Sequence, residues 1–307
     1  MKWHDGPRLP AAAAGGFAAS LADEAVYAGG TSWRSRSREY LDAVNIYRWK
    51  SNSWHTGPKL PAGLAYGACV VTQGGMEIFG GVDAKHSSRK CWRLDLKKQT
   101  WLPTGRLPRD AVLSRAEAVR NEVYLFGGAK DSADLTTCTA EVLVRDASGI
   151  WKAIGAMPQG AVVNAASAAI GHMVYLFGGV SISAAGKILN HAVAFRFDAA
   201  EHTWRRLAPL PEPNRGVTAV ALDDRRILLV GGYTATQAEA AEKPGDYGFS
   251  SEAYVYDTRV DRYLRVSALP FAAAGVALMK RGNQAIAIGG EDRMRGRTDR
   301  VSIARIP

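Results

Sequence analysis

Six times along this chain a pair of glycines closes an apolar run, and that repetition leaves few architectures open. The runs are VYAGG (26–30), EIFGG (77–81), YLFGG (124–128), YLFGG (175–179), LLVGG (228–232) and AIGG (287–290), with first glycines at 29, 80, 127, 178, 231 and 289. After each pair comes a variable polar stretch, then a β-rich run such as VNIYRW, CWRLDL or AVAFRFD. An aromatic follows at Trp54, Trp101, Trp151, Trp204 and Tyr263, and Leu-Pro or Met-Pro at 60–61, 107–108, 157–158, 210–211 and 269–270. Short apolar runs bounded by turn residues, with no helical periodicity anywhere, predict four short strands per unit.

A period near fifty with this content is the kelch pattern, in which each repeat folds as one four-stranded propeller blade. The double glycine suits a place where strands of adjacent blades approach too closely for a side chain. Residues 271–306 supply three strands of the sixth unit but lack its aromatic and Leu-Pro, which stand at the other terminus as Trp3 and Leu9-Pro10. The expected fold is therefore all-β: a six-bladed kelch-type β-propeller, residues 1–307 as a single domain, closed by the N-terminal strand joining the last blade. Such a clasp protects sheet edges that would otherwise be exposed.

Composition narrows the function classes. The 39 basic against 29 acidic residues give a net charge of +10, which favours anionic ligands in general. Basic residues are spread along the chain apart from Trp33–Arg38 and the closing loop, and no nucleic-acid-binding module motif is present, so no nucleic-acid partner is expected. Cys69, Cys91 and Cys138 are odd in number and lack CxxC spacing, which argues for reduced thiols over a disulfide framework or a zinc site. No apolar run approaches the ~20 residues of a membrane span, and no membrane association is expected. With Met1 as the native start the protein is expected in the cytoplasm; a trimmed export signal would place it in the periplasm or outside the cell. A monomer is expected, and neither a metal nor a cofactor.

In an antiparallel blade the loop before the first strand and the loop between the second and third open on the same face, around the central channel. Function gathers on loops held by a rigid scaffold. The first set of loops offers Gly15-Gly16, Tyr66, Arg115, Asn164 and Arg215, the second the stretches that follow each glycine pair. Two arginines, a tyrosine and an asparagine suit an acceptor-rich ligand, although Arg115 and Arg215 could instead tie neighbouring blades together through backbone carbonyls. The longest loop, YTATQAEAAEKPGDYGFSS in the fifth unit, reads as an insertion rather than a lid.

The segments AGGFAASLADEAVYAGGTSW (14–33), GLAYGACV (63–70) and AGVALMKRGNQAIAIGGEDRMRGRTD (274–299) resemble the N-acetylneuraminate epimerase (sialic acid mutarotase) family. The resemblance extends over the six repeats but in rotated order, with the Glu/Arg blade last, which points to a cyclically permuted branch; a closed ring tolerates permutation. It implies an isomerase whose active-site pair falls on Glu291 and Arg297, followed by Thr298 and Asp299. It implies an acidic sugar, sialic acid, as the small-molecule partner. The first-blade loop TSWRSRSRE is richer in arginine than the family pattern and the fifth-blade loop shorter, and both bear on which sugar acid is accepted.

Interconverting the anomers of a cyclic ketose acid needs a base at the anomeric hydroxyl and an acid at the ring oxygen, and a placed carboxylate can serve in either role. Glu291 is the expected proton-transfer group. Arg297 is expected to grip the substrate carboxylate through paired bonds, with Arg34, Arg115 or Arg215 as helpers. The rival readings are a protein-interaction platform, a copper radical oxidase and a nucleic-acid binder. The first predicts a partner domain for which six blades leave no room. The second needs a Cys–Tyr crosslink with further Tyr and His ligands, and the histidines at 4, 55, 86, 172, 191 and 202 form no ligand pattern. The third rests on net charge alone.

Overall fold

The computed structural model describes residues 1–34, 37–243 and 247–307, with Arg34 through its backbone only. The described residues form six four-stranded antiparallel sheets and two short hairpins. The six sheets are the blades, and each innermost strand packs beside those of its two neighbours, so the ring closes on itself. In the last blade the fourth strand is Trp3–Asp5 from the N-terminus, paired antiparallel with Val301–Arg305. This is the predicted clasp. No helix in the described residues is long and apolar enough to cross a membrane.

The repeated residues have separable tasks. Burial is concentrated between blades, in one apolar cluster per interface, and the Leu or Met of the Leu/Met-Pro pairs (Leu9, Leu60, Leu107, Met157, Leu210, Leu269) supplies one side chain to each. The recurring aromatic is a hook. The indole N–H groups of Trp3, Trp54 and Trp101 donate to the carbonyls of Ser267, Pro7 and Pro58 at 2.8–2.9 Å, and the Tyr263 hydroxyl donates to Ala208 at 3.0 Å, each in the linker of the preceding blade. Trp101→Phe keeps most of the apolar ring but orphans the Pro58 carbonyl; it should lower the unfolding free energy by roughly 1–2 kcal/mol in chemical denaturation.

The glycine pairs prove more specific than close strand approach. At Gly29 the backbone is left-handed (φ 63°) and an added Cβ would lie 2.3 Å from the Leu64 carbonyl oxygen. The next residue, Gly30, donates its N–H to that same oxygen at 2.8 Å. The pair thus brings the linker of the following blade onto the backbone, which no residue with a Cβ permits.

The expectation of no helix is corrected in the fifth-blade loop. Gln237–Glu242 forms one short helix, nucleated by a capping box in which Thr236 and Glu239 bond each other's backbone. Its Gln237 side chain accepts from the Ile188 N–H, and Asn190 donates to Ala235 O at 3.0 Å, so this loop leans on the hairpin of the fourth blade.

Candidate functional site

Every blade builds its channel mouth in the same way. The residue after each glycine pair forms a short antiparallel bridge with a residue just before the inner strand: Ala14 with Thr31, Ala65 with Val82, Val112 with Ala129, Val163 with Val180, Arg215 with Tyr233 and Ala274 with Glu291. Next to these bridges lie Gly15, Tyr66, Leu113, Asn164, Gly216 and Gly275, all with left-handed backbone (φ 55–68°). Backbone N–H groups of Tyr66, Leu113, Asn164, Gly216 and Gly275 each donate to the carbonyl of the preceding member at 2.6–3.0 Å. The mouth is therefore a belt of linked backbone running from the first blade to the sixth.

Six equivalent bridge positions carry Thr31, Val82, Ala129, Val180, Tyr233 and Glu291, so one of the six is a carboxylate. The Glu291 backbone is fixed on both sides by Ala274 at 2.8 and 2.9 Å. Its side chain, one-third exposed, meets Arg297 Nη1 at 3.1 Å, whereas the Arg297 side chain is only 3% exposed. The loop between them returns to the blade through Thr298 N–H on Gly290 O at 3.0 Å. Each Arg297 nitrogen has a protein partner: Nε donates to Thr31 Oγ1 at 3.1 Å, Nη1 to Gly296 O at 2.6 Å, and Nη2 to the Tyr66 hydroxyl at 3.1 Å. Thr31 Oγ1 and the Tyr66 hydroxyl lie 3.0 Å apart, closing a four-residue network across the last, first and second blades. A paired grip on a substrate carboxylate, the expected role of Arg297, would require breaking these contacts. In this geometry Arg297 orients Glu291 and Tyr66. Asp299 accepts from Arg8 at 2.9 Å on the surface.

The channel holds a cavity of about 490 Å³, enough for a monosaccharide with substituents. Tyr66, Arg115, Asn164 and Glu291 line it. Arg115 donates Nε to the Ala165 carbonyl of the next blade, which is the blade-tying contact, and burial lowers its pKa. Arg215 donates Nη1 to Asn190 Oδ1 at 3.0 Å and stacks 4.5 Å over the Tyr233 ring. Burial lowers the Arg215 pKa, while Tyr233 and Glu291 oppose that shift. The Arg34 side chain lies outside the described residues. Its neighbour Trp33 is flanked by Arg38 and Arg295, 5.7 and 5.8 Å from the ring centroid.

Sequence reasoning missed a second carboxyl group within the channel. Glu117, two residues beyond Arg115 on the third blade's inner strand, lines the cavity and accepts from Ser167 Oγ at 2.6 Å. The period-two alternation of RAEAV was the signal that could have placed Arg115 and Glu117 together. Cys69, in the same wall, donates to Ala18 O at 3.4 Å, and burial pushes its thiol up to about 11. Among the described residues no three His, Cys, Asp or Glu side chains are grouped to hold a metal.

Residues 25–294 match the family model described as Attractin/LZTR1 beta-propeller. N-acetylneuraminate epimerase of Haemophilus influenzae (strain PittEE) is 24% identical over 173 residues, covering 48% of this chain and 46% of that protein. The same-named protein of Yersinia pestis (strain Pestoides F) is 26% identical over 168 residues, 46% of this chain and 43% of that one. Human Kelch-like protein 23 is 25% identical over 274 residues, 88% of this chain and 44% of its own length. The chain thus spans less than half the length of these curated relatives. The solved structure titled "Structure of YjhT" superposes with a TM-score of 0.77 at 15% identity, covering 96% of this chain and 95% of that one, which establishes the fold alone.

Proposed function

This chain belongs to the Attractin/LZTR1 beta-propeller family, and within that family we propose that it is a sugar-acid mutarotase acting on N-acetylneuraminic acid or a close relative. The observation that carries the reading is Glu291: one carboxylate among six equivalent mouth positions, oriented by a buried guanidinium and facing a sugar-sized cavity. The similarity to the two named epimerases supports the same reading at low identity.

In this mechanism Glu291 takes the proton of the anomeric hydroxyl. The bond from the anomeric carbon to the ring oxygen breaks, its electron pair going to that oxygen, which takes up a proton. The open keto acid rotates and recloses on the other face by the reverse transfers. Arg297 keeps Glu291 aimed, and Tyr66 is fixed beside it. The substrate carboxylate is assigned to Arg215 at the channel mouth, with Arg115 of the cavity wall as a further cation. A charged hydrogen bond is worth about 1.5–3 kcal/mol, so Arg215→Ala should raise KM roughly 10- to 100-fold with a smaller change in kcat, read from initial rates.

Enzymatic release of an α-anomer, followed by NMR across a panel of sialic acids and neutral sugars, tests the reading. Acceleration confined to the acids is expected; acceleration of none supports the second reading, an interaction platform, which the similarity to Kelch-like protein 23 over 88% of the chain favours.

A further inference from the structure

Resting on that mutarotase reading, we propose that Glu117 is the second proton-transfer group of the site, delivering a proton to the ring oxygen from the wall of the channel opposite Glu291. Anomer exchange needs an acid as well as a base, and Glu291, oriented by Arg297, is assigned the part of the base. A partner must line the same cavity, lie across it, and carry a proton near neutral pH.

Glu117 meets the first two conditions by position. It sits on the inner strand of the third blade, and in a ring of six the third blade stands across from the sixth, which carries Glu291. Both residues line the one cavity of about 490 Å³. A sugar ring between them would have its anomeric hydroxyl toward one carboxyl group and its ring oxygen toward the other. The group is also fixed: Ser167 Oγ donates to Glu117 Oε1 at 2.6 Å from the fourth blade. At the equivalent place in the first blade, four residues past the left-handed position, stands Ala19 in the apolar interface, so an acid is not required by the architecture.

Burial pushes the Glu117 carboxyl up to about 7, against the opposing effects of Ser167 and of Arg115 on its own strand. From the second blade Cys69 faces the same cluster, with its thiol neutral at this pH. Glu117 therefore keeps its proton into the neutral range, which suits the acid member of a pair of carboxyl groups with divided roles in acid–base catalysis.

The step balances without a co-reactant. The anomeric O–H proton passes to the Glu291 carboxylate as the C–O ring bond breaks, and the ring oxygen takes the Glu117 proton. On reclosure at the opposite face the attacking hydroxyl returns its proton to Glu117, and Glu291 gives its proton to the oxygen that becomes the new anomeric hydroxyl.

The test is the pH–rate profile of the wild type, Glu117→Gln and Ser167→Ala, each corrected for the uncatalysed reaction. Wild-type kcat should fall as pH rises through about 7, because the acid form is lost. Glu117→Gln should lower kcat by roughly 10²-fold or more, leave KM within a few-fold, and abolish that limb. Ser167→Ala removes a bond that favours the carboxylate, so its limb should move to higher pH, which reports on Glu117 even if the glutamine variant folds poorly. A Glu117→Gln enzyme of wild-type kcat with the limb retained, or a limb unmoved in Ser167→Ala, overturns the proposal while leaving the role of Glu291 standing. No acceleration by the wild type would instead overturn the mutarotase reading itself, and this proposal with it.

Discussion

Glu291→Gln should leave the propeller folded and its affinity for the sugar acid nearly unchanged, while the acceleration of anomer exchange falls by roughly 10²–10⁴-fold. Glutamine keeps the shape of the side chain and can still accept from Arg297 Nη1, so the network of Arg297, Thr31 and Tyr66 has reason to survive. What disappears is the group that can hold a proton. Glu291→Ala is the harsher variant, because it leaves a guanidinium that is 3% exposed without its counter-charge. Both belong in the same NMR time course with thermal melting as a control. A Glu291→Gln protein as fast as the parent would remove this residue from the chemistry.

The largest effect on stability is expected far from the channel, where Glu77 of the second blade pairs with Arg145 of the third. The two groups meet through two bonds, Nη1 to Oε2 at 2.6 Å and Nη2 to Oε1 at 3.0 Å, and Thr72 donates a third at 2.8 Å. Their side chains are 6% and 14% exposed, and the Arg145 guanidinium lies 5.2 Å over the Phe79 ring. Removing one partner of such a pair leaves a buried charge uncompensated, and Glu77→Ala should cost about 3–5 kcal/mol. For a chain of this size that lowers the melting temperature by on the order of 10 °C. Burial by itself would raise the Glu77 carboxyl, but the bonds from Arg145 and Thr72 outweigh it and hold the group below the usual carboxylate range. A depressed folded pKa means the contribution is complete above the ordinary glutamate value of about 4.3 and is lost as pH falls through the folded value. The gap between wild type and Glu77→Ala in urea midpoints should therefore be wide at pH 7 and narrow on acidification. Equal midpoints at pH 7 would contradict this account of the interface.

Much of the fold was legible because the constraints are local and repeated six times. Gly29 and Gly30 can be recognised in sequence since no residue with a Cβ fits against the Leu64 carbonyl, and Leu9 and Trp3 at the wrong end of the chain reveal the clasp since every other unit carries that pair internally. The short helix at Gln237–Glu242 was hidden because six residues give too little periodicity, although Thr236 and Glu239 spell its cap. The site was legible as a set of positions rather than as a set of contacts. Tyr66, Arg115, Asn164 and Glu291 do line one cavity, but the bond from Arg297 to Tyr66 joins residues 231 apart in sequence and arises only from closure of the ring. Glu117 escaped for a related reason: a lone acid in an inner strand looks like any blade-facing residue until Ser167 is seen across the seam.

A catalytic carboxylate at a sugar-filled mouth is the central claim, and exchange spectroscopy on the equilibrated sugar tests it without any trapped anomer. With wild-type protein added to N-acetylneuraminic acid at neutral pH, cross-peaks linking the α and β signals should grow in proportion to enzyme concentration, and should be missing with Glu291→Gln at equal concentration. Cross-peaks no stronger than those of the sugar alone, from folded protein that still binds it, would contradict the account.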